Sequence, residues 1–432
     1  MTKKKLEITI YSMLYIKKIF GLIICLLLIT GNITAKESQA IKSQSDSTII
    51  AYLKNCGIEI SSNNQVEILR SGHDKFIDLF DEIRKAKHHI HLEYFNFRND
   101  SVANSLFEIL KEKVKEGVEV RAMYDAFGNT SNNRPLKNRH IQTLRESGIE
   151  IVEFDPLTFP WINHVFHRDH RKIVIIDGKI GYTGGMNIAD YYINGLPKIG
   201  DWRDMHIRIN GEAVNFLQDI FLDMWNKTTK QQIEGDIYYP YKNHIIEKID
   251  SVKIAIVDRK PRHTPEIMRR AYAKAIESAE GKVQIINPYF TPTRIIKKAI
   301  KKAIENGVKV EIMIPGKSDI KFTPDAVMYT ANKLRKKGAD IYVFNGGFHH
   351  SKIMMIDSMY CTVGSTNLNS RSLRYDYEVN AFIFDKETTT ELIDIFEEDK
   401  TQSNLLTREM YKERGLFKRF IGWFAHLFTP FL

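Results

Sequence analysis

One group of residues occurs twice in the chain at matched offsets, and its recurrence limits the fold more than any other feature of the 432 residues. His170 is followed by Lys172, Asp177, Gly184 and Asn187, and His350 by Lys352, Asp357, Gly364 and Asn367, so each set lies 2, 7, 14 and 17 positions after its histidine. The likeness extends upstream. Glu116-Gly117-Val118 and Asn306-Gly307-Val308 each close a helical run and open a β-rich one, and a second glycine follows 31 positions later in both halves, at Gly148 and Gly338. An H-x-K pair alone arises by chance, whereas two copies with four equal offsets at the same place in a repeat are a strong signal. Helices closed by glycine and followed by strands build α/β units, so the expected class is α/β, with two tandem repeats packed as a pseudo-twofold dimer. The halves differ by ten residues between the second glycine and the histidine, where the first inserts material around Asp155 to His164.

The strand period of two places His170 and Lys172 on one face, and likewise His350 and Lys352. Asp177 lies an odd number of positions from His170 and precedes Gly178. Asp177 and Asp357 are therefore expected in tight two-residue hairpin turns, supporting the catalytic His and Lys rather than touching substrate. Such a turn would set Gly184 and Gly185 beside Arg171 and His170, where missing side chains let a phosphate approach the backbone. Gly364 and Ser365 occupy the matching place in the second half. Two imidazoles, two ammonium groups, Asn187 and Asn367 converging at the seam of a pseudo-dimer suit a phosphodiester. The lysines and asparagines would stabilise phosphoryl oxygens, one histidine would attack phosphorus, and the other would protonate the departing alcohol. No metal or other cofactor is required. A nucleophilic imidazole needs an acceptor on its other nitrogen. Glu378, 28 residues after His350, and Asp204, within the Asp201-Trp202-Arg203-Asp204 run that follows His170, are the candidate orienting carboxylates.

These residues resemble the phospholipase D superfamily, whose signature is a duplicated H-x-K-x4-D followed by G-[GS]-x-N, over nearly the whole chain from about Gln65 to Asp399. Within it, Leu92-Glu93-Tyr94, Asn287-Pro288-Tyr289-Phe290, Trp202-Arg203-Asp204 and the ending Pro430-Phe431-Leu432 look most like bacterial cardiolipin synthases. That resemblance implies transfer of a phosphatidyl group from one phosphatidylglycerol to another, with His170 as nucleophile and His350 as acid and base. Hydrolysis and a phosphatidylserine-type synthesis are close alternatives, differing only in the hydroxyl that resolves the phosphohistidine. A family endonuclease is the different class.

Charge location bears on that choice. Of the net +10, the first 35 residues hold five lysines against one glutamate and residues 408–432 hold five basic residues against two acids, leaving only +3 for the rest. A nuclease should carry its charge in the body, so no nucleic acid is expected as partner. Residues 1–35, a lysine cluster, the apolar Ile19 to Ile29 and small residues ending at Ala35, read as a signal peptide or membrane anchor. The body then lies at the extracytoplasmic face of the cell membrane. Residues 36–58 read as a linker, 59–245 and 246–400 as the two repeats, and 401–432 as a basic amphipathic tail, either a last core helix or an interfacial membrane helix. The expected partners are phosphatidylglycerol and the membrane surface, with no obligate protein partner. Three cysteines exclude a disulfide framework. The clusters His164, His167, His170 and His88, His89, His91 lack a closed ligand set for zinc, and the run Lys297, Lys298, Lys301, Lys302 reads as a solvated helix face. Tyr94, Phe95, Tyr289 and Phe290 follow strands near the site, as core or as channel lining.

Overall fold

The computed structural model describes residues 45–160, 165–242, 248–320 and 323–428. The signal or anchor segment, residues 1–35, lies outside them. Residues 45–55 form helix α1. This corrects the linker reading of 36–58: Ile49 and Leu53, one helical turn apart, are fully buried in the core of the second repeat.

The first repeat runs β1 (Asn64–Leu69), α2 (Gly72–Lys85), β2 (His89–Tyr94), α3 (Ser101–Lys115), β3 (Glu119–Asp125), α4 (Ala126–Ser131), α5 (Asn138–Glu146), β4 (Glu150–Phe154), β5 (Lys172–Ile176), β6 (Ile180–Gly184), α6 (Tyr191–Asn194), β7 (Trp202–Arg203), β8 (His206–Gly211) and α7 (Val214–Thr229). The second runs β9 (Lys253–Arg259), α8 (Ile267–Glu277), β10 (Lys282–Ile286), α9 (Arg294–Glu305), β11 (Lys309–Pro315), α10 (Thr323–Arg335), β12 (Asp340–Phe344), β13 (Phe348–His349), β14 (Ile353–Ile356), β15 (Tyr360–Gly364), α11 (Ser370–Arg374), β16 (Glu378–Phe384) and α12 (Lys386–Lys400). After it come β17 (Ser403–Leu405), α13 (Arg408–Glu413) and α14 (Gly415–Phe428). Because β17 pairs antiparallel with β12, the second sheet reaches past residue 400 and the tail begins later than 401.

The sheet orders are β1-β8-β6-β5-β2-β3-β4 and β17-β12-β11-β10-β14-β15-β16-β9. Read in reverse and without β17, the second repeats the first strand for strand. Alternate residues of each strand face opposite ways. One face of the first sheet packs on α2, α3 and α5 through Leu79, Leu106, Leu144, Ile90 and Val174. One face of the second packs on α1, α8, α9 and α10. Their other faces meet in a shared core in which Ile173, Ile175 and Ile207 lie with Met355, Cys361 and Val363, flanked by α7 and α12. The molecule is thus two helix-backed sheets joined face to face, the two phospholipase D-like repeats the sequence leads one to expect.

Each motif occupies a hairpin, β5–β6 or β14–β15. The turns have three residues rather than two: Ile176 pairs with Ile180 and Ile356 with Tyr360. The extra residue shifts the register by one from the expected pairing. Asp177 and Asp357 hold positive φ, 54° and 53°, and each carboxylate accepts three backbone N–H groups. Asp177 takes those of Lys87, His88 and His89, and Asp357 those of Glu280, Gly281 and Lys282. The aspartates therefore pin the motif hairpin to the start of the neighbouring strand β2 or β10. Asp357→Ala would orphan three N–H groups and is expected to lower stability by about 3 kcal/mol in urea denaturation. An unchanged midpoint would remove this anchoring role.

Candidate active site

The two motif histidines are held by carboxylates exchanged between the repeats. His170 Nδ1 lies 3.1 Å from Glu378 Oε1, and His350 Nδ1 lies 2.7 Å from Asp204 Oδ2. Each acid thus serves the histidine of the other half, not the one it follows in the chain. The backbone explains why. Asp169 bridges Tyr377 in parallel, with His170 N donating to Tyr377 O at 3.1 Å; His349 pairs in parallel with Arg203, with His350 N donating to Arg203 O at 2.7 Å. In both cases the residue before the histidine pairs with the residue before the acid. The acids are themselves equivalent: Gly184 pairs with His206 and Gly364 with Asn380, each two residues after its carboxylate.

A carboxylate only accepts, so with Asp204 and Glu378 ionised both Nδ1 atoms carry the proton and both Nε2 atoms keep a lone pair. Lys172 and Lys352 are fully buried and bind back to the carbonyl oxygens of His170 and His350. Burial pushes the Lys172 ammonium down to about 8 and that of Lys352 down to about 7, with Glu378 and Asp204 opposing. Burial, then Lys172 and Lys352, hold His170 well below its usual range, so a cation of the second repeat acts on the histidine of the first. His350 is lowered to about 4 by burial and Lys352. The acids diverge. Burial raises Glu378 to about 7. Burial also opposes ionisation of Asp204, but Lys352 and His350 more than offset it and leave that acid below its ordinary value.

The glycines serve these acids rather than a phosphate. A Cβ on Gly185 would stand 2.3 Å from Asp204 Oδ1, so the missing side chain makes room for the carboxylate. Gly184 is closed off by His206, Gly364 by Val379 and Asn380, and Ser365 Oγ donates to Glu378. This corrects their reading as substrate-binding residues. Asp177 and Asp357, one strand length away at roughly 16 Å, also lie outside the site. Asn187 and Asn367 are buried with side-chain carbonyl oxygens that have no partner. The aromatics divide: Phe95 stacks edge-on against His170 at 5.1 Å and Tyr289 against His350 at 6.0 Å, whereas Tyr94 and Phe290 are core. His89 and His91 are packed beside Phe221 and Tyr238, and no cluster of potential metal ligands exists among the described residues.

Several supporting groups escape sequence inspection. Lys75, fully buried on α2, donates to the carbonyl oxygens of Met186 and Asn187 at 3.0 and 3.1 Å, beneath the first half's Gly-Gly-Met-Asn loop. Arg168 pairs with Asp125 and Asp155. Arg171 binds Glu93 and Asp258, so the residue between His170 and Lys172 is tied to the other repeat. A lone lysine or arginine in a helix or strand gives no signal of burial; only its pairing does.

Two neutral imidazoles with free Nε2 atoms, two ammonium groups and two amide side chains can take a phosphodiester through a covalent phosphohistidine. Gly185→Ala is expected to push Asp204 off His350 and cut phosphodiester turnover by about 100-fold or more while the protein stays folded. Near-normal turnover would show that the Asp204–His350 contact is dispensable.

Comparison with known proteins agrees with this architecture. The family described as cardiolipin synthase, PLD-like domain, matches residues 79–200 and 272–400. A cardiolipin synthase of Oceanobacillus iheyensis is 36% identical over 385 residues, covering 89% of this chain and 78% of that protein. Cardiolipin synthase 1 of Staphylococcus epidermidis is 38% identical over 376 residues, covering 86% and 75%. The crystal structure of a phosphatidylserine synthase from Haemophilus influenzae superposes with a TM-score of 0.64 at 17% identity, over 85% of this chain and 95% of that one. With both motifs intact in matching sheets, and with this likeness over most of its length, the chain belongs to the cardiolipin synthase family of phospholipase D-like proteins.

Proposed function

We propose that this chain is a phosphatidyltransferase that makes cardiolipin from two molecules of phosphatidylglycerol. The observation that carries the reading is the exchanged pair of histidine–carboxylate contacts, each beside a buried lysine. His170, with Nδ1–H held by Glu378, attacks phosphorus through Nε2. His350 takes up a proton on Nε2 as the anionic phosphodiester binds, is held as an imidazolium by the ionised Asp204, and gives that proton to the glycerol oxygen as the P–O bond breaks, so that glycerol leaves and His350 is again neutral. The free hydroxyl of a second phosphatidylglycerol then loses its proton to His350 and attacks the phosphohistidine, releasing His170 and forming cardiolipin. The ionised Asp204 suits His350 to carry the proton between these steps. Lys172, Lys352, Asn187 and Asn367 hold the phosphoryl oxygens.

The site works at a membrane surface in this reading, on the extracytoplasmic side given the signal-like residues 1–35. Support comes from α14, which leaves Leu416, Phe417, Phe420 and Trp423 43–80% exposed, as an interfacial helix requires. No helix among the described residues is long and apolar enough to cross a membrane.

Purified protein with phosphatidylglycerol vesicles should release glycerol and form a four-chain lipid; phosphatidic acid as the sole product would mean water is the acceptor instead. His170→Ala and His350→Ala are each expected to lower glycerol release at least about 10³-fold without unfolding. The pH dependence has a defined sign. Turnover rises as Glu378 ionises near 7 and falls as Lys352 and Lys172 lose their protons near 7 and 8, giving a narrow bell. Glu378→Gln should lower turnover and remove the acid limb, which a stopped pH series would read directly; persistence of that limb would assign it to another group.

A further inference from the structure

In the proposed reaction the departing alcohol takes its proton from His350 and the incoming alcohol gives its proton to the same ring, so both meet the site on the His350 side. That side is walled by aromatic rings. Trp202 and Phe348 each lie 5.4 Å from the His350 ring, and Tyr289 stands edge-on to it at 6.0 Å. Trp202 and Phe348 are buried, whereas Tyr289 is half-buried and its hydroxyl donates to Asp319 Oδ1 at 2.7 Å. Asp319 is exposed, and the same Oδ1 also takes the Ser318 hydroxyl at 3.3 Å. A carboxylate offers about four lone-pair sites, so these two bonds leave it able to accept more. A phenol in contact with the proton-carrying histidine thus leads to a carboxylate at the mouth.

The matching places in the first repeat are filled differently. Phe95, which lacks a hydroxyl, is the ring that stands edge-on to His170. Asn129 lies four residues past the end of β3, as Asp319 does past the end of β11, but it is buried and its amide is committed to both backbone groups of Leu136, at 3.0 and 2.8 Å. The pair is therefore one-sided, as the handling of the alcohol is. Its charge limits what it can hold. A carboxylate repels a second phosphate and is served by a donor that carries no negative charge, such as a hydroxyl. Glycerol brings one in both steps. When it leaves phosphorus, and again when the end of a phosphatidylglycerol headgroup attacks, the carbon next to the reacting oxygen carries the central hydroxyl. Water has no counterpart to it.

We propose that Tyr289 and Asp319 form the subsite for the central hydroxyl of glycerol and so select the alcohol that resolves the phosphohistidine. This rests on the reading of the chain as a phosphatidyltransferase and deepens it by naming what is recognised in the alcohol. Asp319 accepts from the central hydroxyl, and the Tyr289 oxygen, its own proton given to Asp319, is a second acceptor beside it. One subsite then serves both steps, first for the departing glycerol and next for the glycerol end of the second lipid. The pair acts by holding alone. The reacting hydroxyl still loses its proton to His350 as the new P–O bond forms and the P–N bond to His170 breaks.

The test is a competition between alcohols for the phosphohistidine, run with the full chain on phosphatidylglycerol vesicles and read as a ratio, so that a general loss of rate cancels. Labelled glycerol and ethanol are supplied at equal concentration, and labelled phosphatidylglycerol is compared with phosphatidylethanol. Wild type should favour glycerol by about tenfold, and Asp319→Ala and Tyr289→Phe should each reduce that preference to about twofold or less. Both variants should also raise phosphatidic acid relative to cardiolipin. A wild-type protein that takes both alcohols equally would overturn the proposal, as would a ratio unchanged in either variant. Ethylene glycol, which keeps only the neighbouring hydroxyl, should compete like glycerol; if it competes like ethanol, the assignment to the central hydroxyl fails. Ethanolamine taken in preference to glycerol would assign the carboxylate to an ammonium headgroup and overturn the proposal. If wild type prefers glycerol yet forms no cardiolipin, the proposed activity fails and the subsite stands.

Discussion

A buried imidazole that must present one nitrogen to a substrate needs an acceptor for the other, and neither repeat supplies its own. Glu378 comes to His170 and Asp204 to His350 across the seam, each brought by a short parallel pairing of the segments just ahead of histidine and acid. The rest of the architecture follows from this exchange. The sheets have to face each other for the segments to meet, the apolar inner faces supply the core that holds them so, and Gly185 must lack a side chain for Asp204 to fit.

The exchange also sets the electrostatics. Removing either acid would strand a histidine and a lysine in a region from which water is excluded, a far greater loss than that of a surface ion pair. The two half-sites are related by fold but not by charge. Glu378 is paired with Ser365 and lies across β9 from Arg259, whereas Asp204 takes both Lys352 and His350 and stays ionised. Lys75 adds a further buried amine under the first half's loop, where burial holds its protonation well below the usual lysine range, whereas Tyr272 and Asn380 stand under the second loop. Such differences allow one histidine to serve as nucleophile and the other as proton carrier within a symmetrical frame.

Much of this was legible from spacing. Equal offsets after His170 and His350 located both hairpins, and the paired glycines at 117 and 307 marked the strand entries. What spacing could not convey is which half an acid would serve, because Asp204 and Glu378 reach their histidines through contacts made about 146 and 208 positions apart. Nor could the period of two place Gly184 and Gly185, since a three-residue turn where two were expected moves every facing pair by one step. Ser365 reads as a phosphate contact by its position beside Gly364, yet its hydroxyl is committed to Glu378. The segment 36–58 looked like a linker because its apolar residues are few, but two of them a turn apart suffice to seat α1.

That small helix bears on maturation. Its anchor residues Ile49 and Leu53 stand beyond Ala35, where a leader would be cut, and they dock on the repeat farthest along the chain. Processing at that point would therefore keep α1 in the chain, together with the contacts of Ile49 and Leu53 in the core of the second repeat. Helix α1 and helix α14 would then both pack on the second repeat, one against its core and the other against α10.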